Sequence, residues 1–150
     1  MTFQQRSITV SLASSILILG YYLTGWFQMY QTKGLDSATV FRLWLIVIIA
    51  SIILNIAGNI LTNILGAIIH AIKTQSDKPE RLIEDERDKL ISLKGTRVTY
   101  IVFSFGMFFA MLSFVFEQPA LVMFSLIILF GSLAEIAGDI YKLTMYRRGL

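Results

Sequence analysis

Long apolar runs separated by short polar interruptions dominate the chain. Four such runs, at roughly residues 8–30, 40–72, 98–116 and 120–143, approach or exceed the ~20 residues an α-helix needs to cross a ~30 Å hydrocarbon core. The pattern predicts an all-α membrane protein: one domain over residues 1–150 with four transmembrane helices. The second run, about 33 residues long, has to tilt, bend near Gly58 or Gly66, or project into water. Arg6 ahead of the first run resembles the start of a secretory signal, but the run exceeds a signal's ~7 to 15 apolar residues and no small-residue cleavage site follows. It is expected to stay as a helix.

Between the second and third runs lies "SDKPERLIEDERDKLISLKG", the one stretch with soluble character. Ser76 or Asp77 can cap a helix there, Pro79 suits its first turn and Gly95 its C-terminal stop, so a short cytoplasmic amphipathic helix is predicted over about 78–94. Asp77 with Arg81, Arg81 with Asp85, and Asp85 with Lys89 stand four apart, and Leu82, Ile83, Leu90, Ile91 and Leu93 supply an irregular apolar stripe. Such a helix either lies along the inner membrane surface or offers a partner a docking face.

Composition agrees with the pattern: 55% of residues are hydrophobic and 15% charged, against about 25% charged in soluble domains. Cysteine is absent and there is one histidine, which excludes a disulfide framework, a thiolate site and a His-rich metal centre. No cofactor is expected. The net charge of +3 matters less than its placement. Lys73, Lys78, Arg81, Arg87, Lys89, Lys94 and Arg97 cluster between runs two and three, Lys142, Arg147 and Arg148 follow run four, and Arg6 stands near the N-terminus. By the positive-inside rule both termini and the central loop are cytoplasmic. The chain's basic residues thus have a membrane role, and direct nucleic-acid binding is not expected. Tyr21, Tyr22, Trp26, Phe27, Tyr30 and Trp44 would form the outer aromatic belt, with Tyr100, Tyr141 and Tyr146 at the inner interface.

Inside the apolar runs a few polar residues stand out. Asn55, Asn59 and Asn63 recur every four residues, and with His70 they stay within about 80° of helical arc. Gly58, Thr62 and Gly66 run beside them as a ridge that permits close helix approach. Interhelical amide bonds worth about 0.6 to 2 kcal/mol would explain the asparagines as packing glue. The fourth run carries Ser132, Glu135 and Asp139, and a carboxylate at bilayer depth costs at least about 2.5 kcal/mol. Counted from Arg42 and Pro119, Glu135 is level with Asn59, and Asp139 with Asn63. Ser11, Ser14, Ser15, Tyr100 and Ser104 add polar groups in the same half, which predicts a polar pocket open to the cytoplasm. Arg97 or His70 is the expected cation for Asp139, whereas Glu135 has no basic residue at its depth. That leaves Glu135 as a proton or cation site, or as a protonated structural hydrogen-bond donor. No Ser/His/Asp arrangement, phosphate loop or HExxH motif appears, so no enzyme is predicted.

"EDERDKLISLKGTRVTY" and "AEIAGDIYKLTMYRRG" together resemble an uncharacterised family of small bacterial four-helix membrane proteins, a domain of unknown function. Asp85, Glu86, Arg87, Asp88, Ile91, Lys94, Arg97 and Tyr100 carry the first motif, and Ala134, Glu135, Tyr146, Arg147, Arg148 and Gly149 the second. The resemblance covers about half the chain and leaves out the asparagine stripe. It implies a multi-pass protein of the bacterial inner membrane, and a regulatory role, since members look like companions of helix-turn-helix regulators.

The resulting expectation is a non-enzymatic regulatory or sensory protein that contacts a cytoplasmic partner through Asp85, Glu86, Arg87, Asp88 and Arg97, with Asn55, Asn59, Asn63, His70, Glu135 and Asp139 around an intramembrane pocket. The rival is a homo-oligomeric proton-coupled transporter or cation channel that uses Glu135. A homodimer is expected because four helices enclose little volume, with Gly58, Thr62 and Gly66, or Ala134 and Gly138, as contact faces.

Overall fold

A computed structural model describes residues 3–32, 36–74 and 86–148. Four helices account for nearly all of them: α1 (Phe3–Thr32), α2 (Ser37–Thr74), α3 (Glu86–Val115) and α4 (Ala120–Arg147). Each contains a stretch long and apolar enough to cross a membrane, so the chain reads as a multi-pass membrane protein. In lipid every backbone polar group needs an internal partner, and apolar runs of this length can meet that demand only as helices.

The ends of the helices are set locally. Asp36 Oδ2 accepts from the Thr39 amide at 3.3 Å and from the Thr39 hydroxyl at 3.2 Å, which caps α2. At the end of α3, the Gln118 amide donates to the Ser113 carbonyl and the Glu117 amide to the Phe114 carbonyl, each at 3.1 Å. This pattern needs a left-handed residue, usually glycine, and Glu117 fills it at φ 60. Pro119 follows and starts α4, where it removes no helical hydrogen bond. Gly95 does not stop a separate cytoplasmic helix. It lies inside α3, which runs without interruption from Glu86, and residues 78–85 of the predicted amphipathic helix fall outside the described residues.

The helices α1, α2 and α4 pack together, and α3 packs on α4. The α3–α4 contact is the most extensive, α1 packs on both α2 and α4, and α2 meets α4 narrowly. Glycines make the α3–α4 contact close. A methyl group at Gly138 would run into Thr99 Oγ1 and come within 3.2 Å of the Gly95 carbonyl, and one at Gly106 would strike the Phe130 side chain. Lipid tails are as apolar as leucine, so helices in a membrane gain little from hydrophobic burial and rely on close packing of this kind. Ala110, Ala134 and Ile91 are fully enclosed along the same seam.

These contacts use residues from each face expected to make a dimer, while the surroundings of Thr62 and Gly66 fall outside the described residues. Gly58 packs inside the chain, where an added methyl would lie 3.1 Å from Val10 of α1, and Ala134 and Gly138 are buried against α3. The same property that favours helix association, a missing side chain, is already used between helices of one chain.

Ile18, Tyr22, Met29, Val40, Leu43 and Val47 form the buried apolar core at the loop end of α1, α2 and α4. Tyr22 donates its hydroxyl proton to the Ser125 carbonyl at 2.7 Å, and Trp44 meets Phe124 edge-on with ring centroids 5.4 Å apart. Of the expected outer belt, Tyr22 is therefore core, whereas Tyr21, Phe27 and Tyr30 are exposed.

Candidate functional site

At the opposite end, the one that carries both termini, the same three helices do not close on one another. A cavity of about 150 Å³ lies between them, lined by Ser7, Ile8, Val10 and Ser11 of α1, Leu54, Asn55 and Gly58 of α2, and Asp139 and Lys142 of α4. Small and polar residues leave the space: Gly58 lets α1 approach but fills nothing, and serine and asparagine are shorter than the tyrosine and tryptophans at the loop end.

Asp139 is 6% exposed. Its Oδ1 accepts from Lys142 Nζ at 3.0 Å, one helical turn away on α4. The lysine stem crosses towards α3 and lies over Gly95, where an added methyl would fall 2.6 Å from its Cε and 3.0 Å from its Cδ. Lys142 therefore joins the cavity to the α3–α4 seam. Asn55 donates one of its two amide hydrogens to the Ser51 carbonyl at 2.9 Å, which leaves its carbonyl oxygen and a second N–H for neighbours.

Of the residues expected around a pocket, Ser11, Asn55 and Asp139 line this cavity, and the expected level of Asp139, at Asn63, lies two turns beyond Asn55 on α2. Helix α2 begins at Ser37, five residues before the Arg42 used for the depth count, whereas α4 begins at Ala120, one after Pro119. Measured from the actual starts, Asn55 and Asp139 are about 27 and 28 Å along their helices, which puts them level. By the same rise Asn63 and His70 lie about 12 and 22 Å farther along α2 than Asn55, so one small cavity cannot span all of them. The side chains of Asn59, Asn63 and His70 fall outside the described residues.

Asp139 takes its cation from Lys142 on its own helix, not from Arg97. Arg97 is exposed and lines a shallow groove on the outer face of α3 with Leu93, Thr96, Tyr100 and Ser104, so Tyr100 and Ser104 also lie away from the cavity. Glu135 does not line the cavity: it is exposed on α4, about 40° around the helix from Asp139. Two polar lining residues, Ser7 and Lys142, are absent from the expected set. The signal for Lys142 was its i,i+3 spacing from Asp139, which was read only as part of the basic flank.

The two short motifs behind the family resemblance touch each other. Tyr146 of the second donates its hydroxyl proton to Asp88 Oδ1 of the first at 2.6 Å. Asp88, expected to face a partner, thus anchors the start of α3 to the end of α4, whereas Glu86 and Arg87 beside it are exposed and Asp85 falls outside the described residues. Comparison of the chain with protein-family models, curated proteins and solved structures finds no match to any of the three.

Proposed function

We propose that this is a small regulatory membrane protein of the sensory kind: a solute enters the Asp139 cavity, and the α3–α4 pair carries the change to the charged segment ahead of α3, which meets a cytoplasmic partner. One observation carries the reading. Lys142 is ion-paired to Asp139 in the cavity while its stem rests on Gly95 of α3, so a group that displaces the ammonium also disturbs that seam. The Tyr146–Asp88 hydrogen bond extends the link to the first turn of α3. The positive-inside distribution of Lys73, Arg87, Lys94, Arg147 and Arg148 supports a cytoplasmic position for this end, and the motif resemblance supports a bacterial inner membrane and a regulatory role.

The test uses a photo-crosslinking residue in place of exposed Glu86 in intact cells. A discrete adduct is expected, lost with Arg87→Glu and altered in yield by Lys142→Met, while membrane insertion is unchanged. An adduct indifferent to Lys142→Met would sink the sensory reading.

The exposure of Glu135 on a membrane-spanning helix favours a second reading, in which another copy of the chain covers it and the pair conducts protons or cations. In proteoliposomes Glu135→Gln would then abolish a pH-dependent flux. Equal leak through wild type and variant would remove this alternative.

A further inference from the structure

The chemistry of the cavity specifies what it can hold. About 150 Å³ corresponds to roughly five water volumes of ~30 Å³, below the ~300 Å³ at which pockets for larger organic ligands begin. Three helices contribute oxygens: the Ser7 and Ser11 hydroxyls, one turn apart on α1; the Asn55 amide carbonyl, whose neighbouring nitrogen donates one hydrogen to Ser51; and the buried Asp139 carboxylate. Oxygen donors of this sort suit hard cations. Among the described residues no three His, Asp or Glu side chains converge, so the set lacks the ligands a transition metal prefers. The carboxylate disfavours an anion.

Charge selects further. Asp139 is the one carboxylate among the lining residues, and the Lys142 ammonium neutralises it. The Lys142 side chain is 22% exposed against 8% for that of Asp139, so the lysine stands at the rim and the aspartate within. If the ammonium swings out, one negative charge remains. A monovalent cation balances it, whereas a divalent one leaves a surplus positive charge in a poorly solvated place beside the displaced lysine.

We propose that the cavity binds a small monovalent cation of the sodium class, which competes with the Lys142 ammonium for Asp139. The proposal rests on the reading of the cavity as the solute site and names its ligand. Cation and ammonium exclude each other, so occupancy releases Lys142 from Asp139 and changes its seat on Gly95. The fraction of molecules with Lys142 withdrawn then sets the apparent affinity.

Binding of radiolabelled sodium and thermal unfolding are measured on the purified protein in detergent, with choline chloride replacing sodium chloride at equal ionic strength. Sodium is expected to bind and raise the wild-type unfolding midpoint, and Asp139→Asn to lose both effects. Lys142→Met, freed of the competitor, should bind about tenfold tighter and need sodium to stay folded, because Asp139 would otherwise be an unpaired buried charge. The last result keeps the test decisive even if Asp139→Asn fails to fold. Absence of sodium binding in both wild type and Lys142→Met overturns the cation site, as does unchanged binding in folded Asp139→Asn. If sodium fails to bind while the Glu86 adduct still responds to Lys142→Met, the cation proposal falls and the sensory reading stands. If sodium binds as described and the adduct is indifferent, the sensory reading falls and the cation site stands.

Discussion

The two ends of the interface among α1, α2 and α4 are built from the same helices and behave oppositely. At the loop end Tyr22 is buried with Val40, Leu43 and Val47, and Trp44 packs against this cluster and edge-on against Phe124. At the terminal end Ser7, Ser11, Asn55 and Gly58 leave a gap, and a part-buried ion pair occupies one wall of it. The difference shows where the molecule spends stability and where it keeps room for chemistry. A membrane bundle cannot hold a polar gap together by excluding water, so rigidity has to come from a neighbouring contact. Here it comes from α3, whose glycine seam with α4 runs directly behind Asp139.

Breaking that backing should have the largest effect. Gly138→Val places a branched side chain where Thr99 and the Gly95 carbonyl already sit. Overpacking of this kind costs about 1 to 3 kcal/mol, and the upper figure is expected because one of the obstacles is backbone. Unfolding of the variant in mixed micelles measures it, and an unchanged midpoint would show that α3 does not brace the cavity. Next comes Phe124→Ala, which removes the edge-on contact with Trp44 and the tilted one with Phe41. Aromatic pairs contribute about 0.5 to 1.5 kcal/mol each, so a loss of about 2 kcal/mol is expected, with the response to Lys142→Met preserved if the two ends are independent. The smallest is Tyr22→Phe. Deleting the hydroxyl that donates to Ser125 should cost about 0.6 kcal/mol, the average for interhelical hydrogen bonds in membranes, and a loss several times larger would mean that this bond aligns α1 on α4.

Some of the site was legible beforehand. Asn55, Ser11 and Asp139 were marked by being polar within apolar runs, and being costly in lipid they had to face inward together. The error in register came from counting from Arg42 and Pro119. Charged or cyclic residues mark where a helix can begin; its cap marks where it does, and Asp36 caps α2 six residues before Arg42. Gly95 shows a related ambiguity. A glycine after a charged stretch is a common helix stop, but close approach of a second helix uses the same missing side chain, and nothing local distinguishes the two.

What the sequence determines by itself is the number and type of elements. Four apolar runs of sufficient length leave no alternative to helices in lipid, and each polar interruption is a place where the chain can leave it. Which polar residues meet was decided by tertiary structure alone. The cavity depends on α1, α2 and α4 sharing one depth at Ser11, Asn55 and Asp139, and the link to α3 depends on Lys142 finding Gly95 across a seam between helices. Helical periodicity assigns each residue an angle and a height on its own helix. It carries no information on the offset between helices, which is set by caps, glycine contacts and aromatic interlocking acting together.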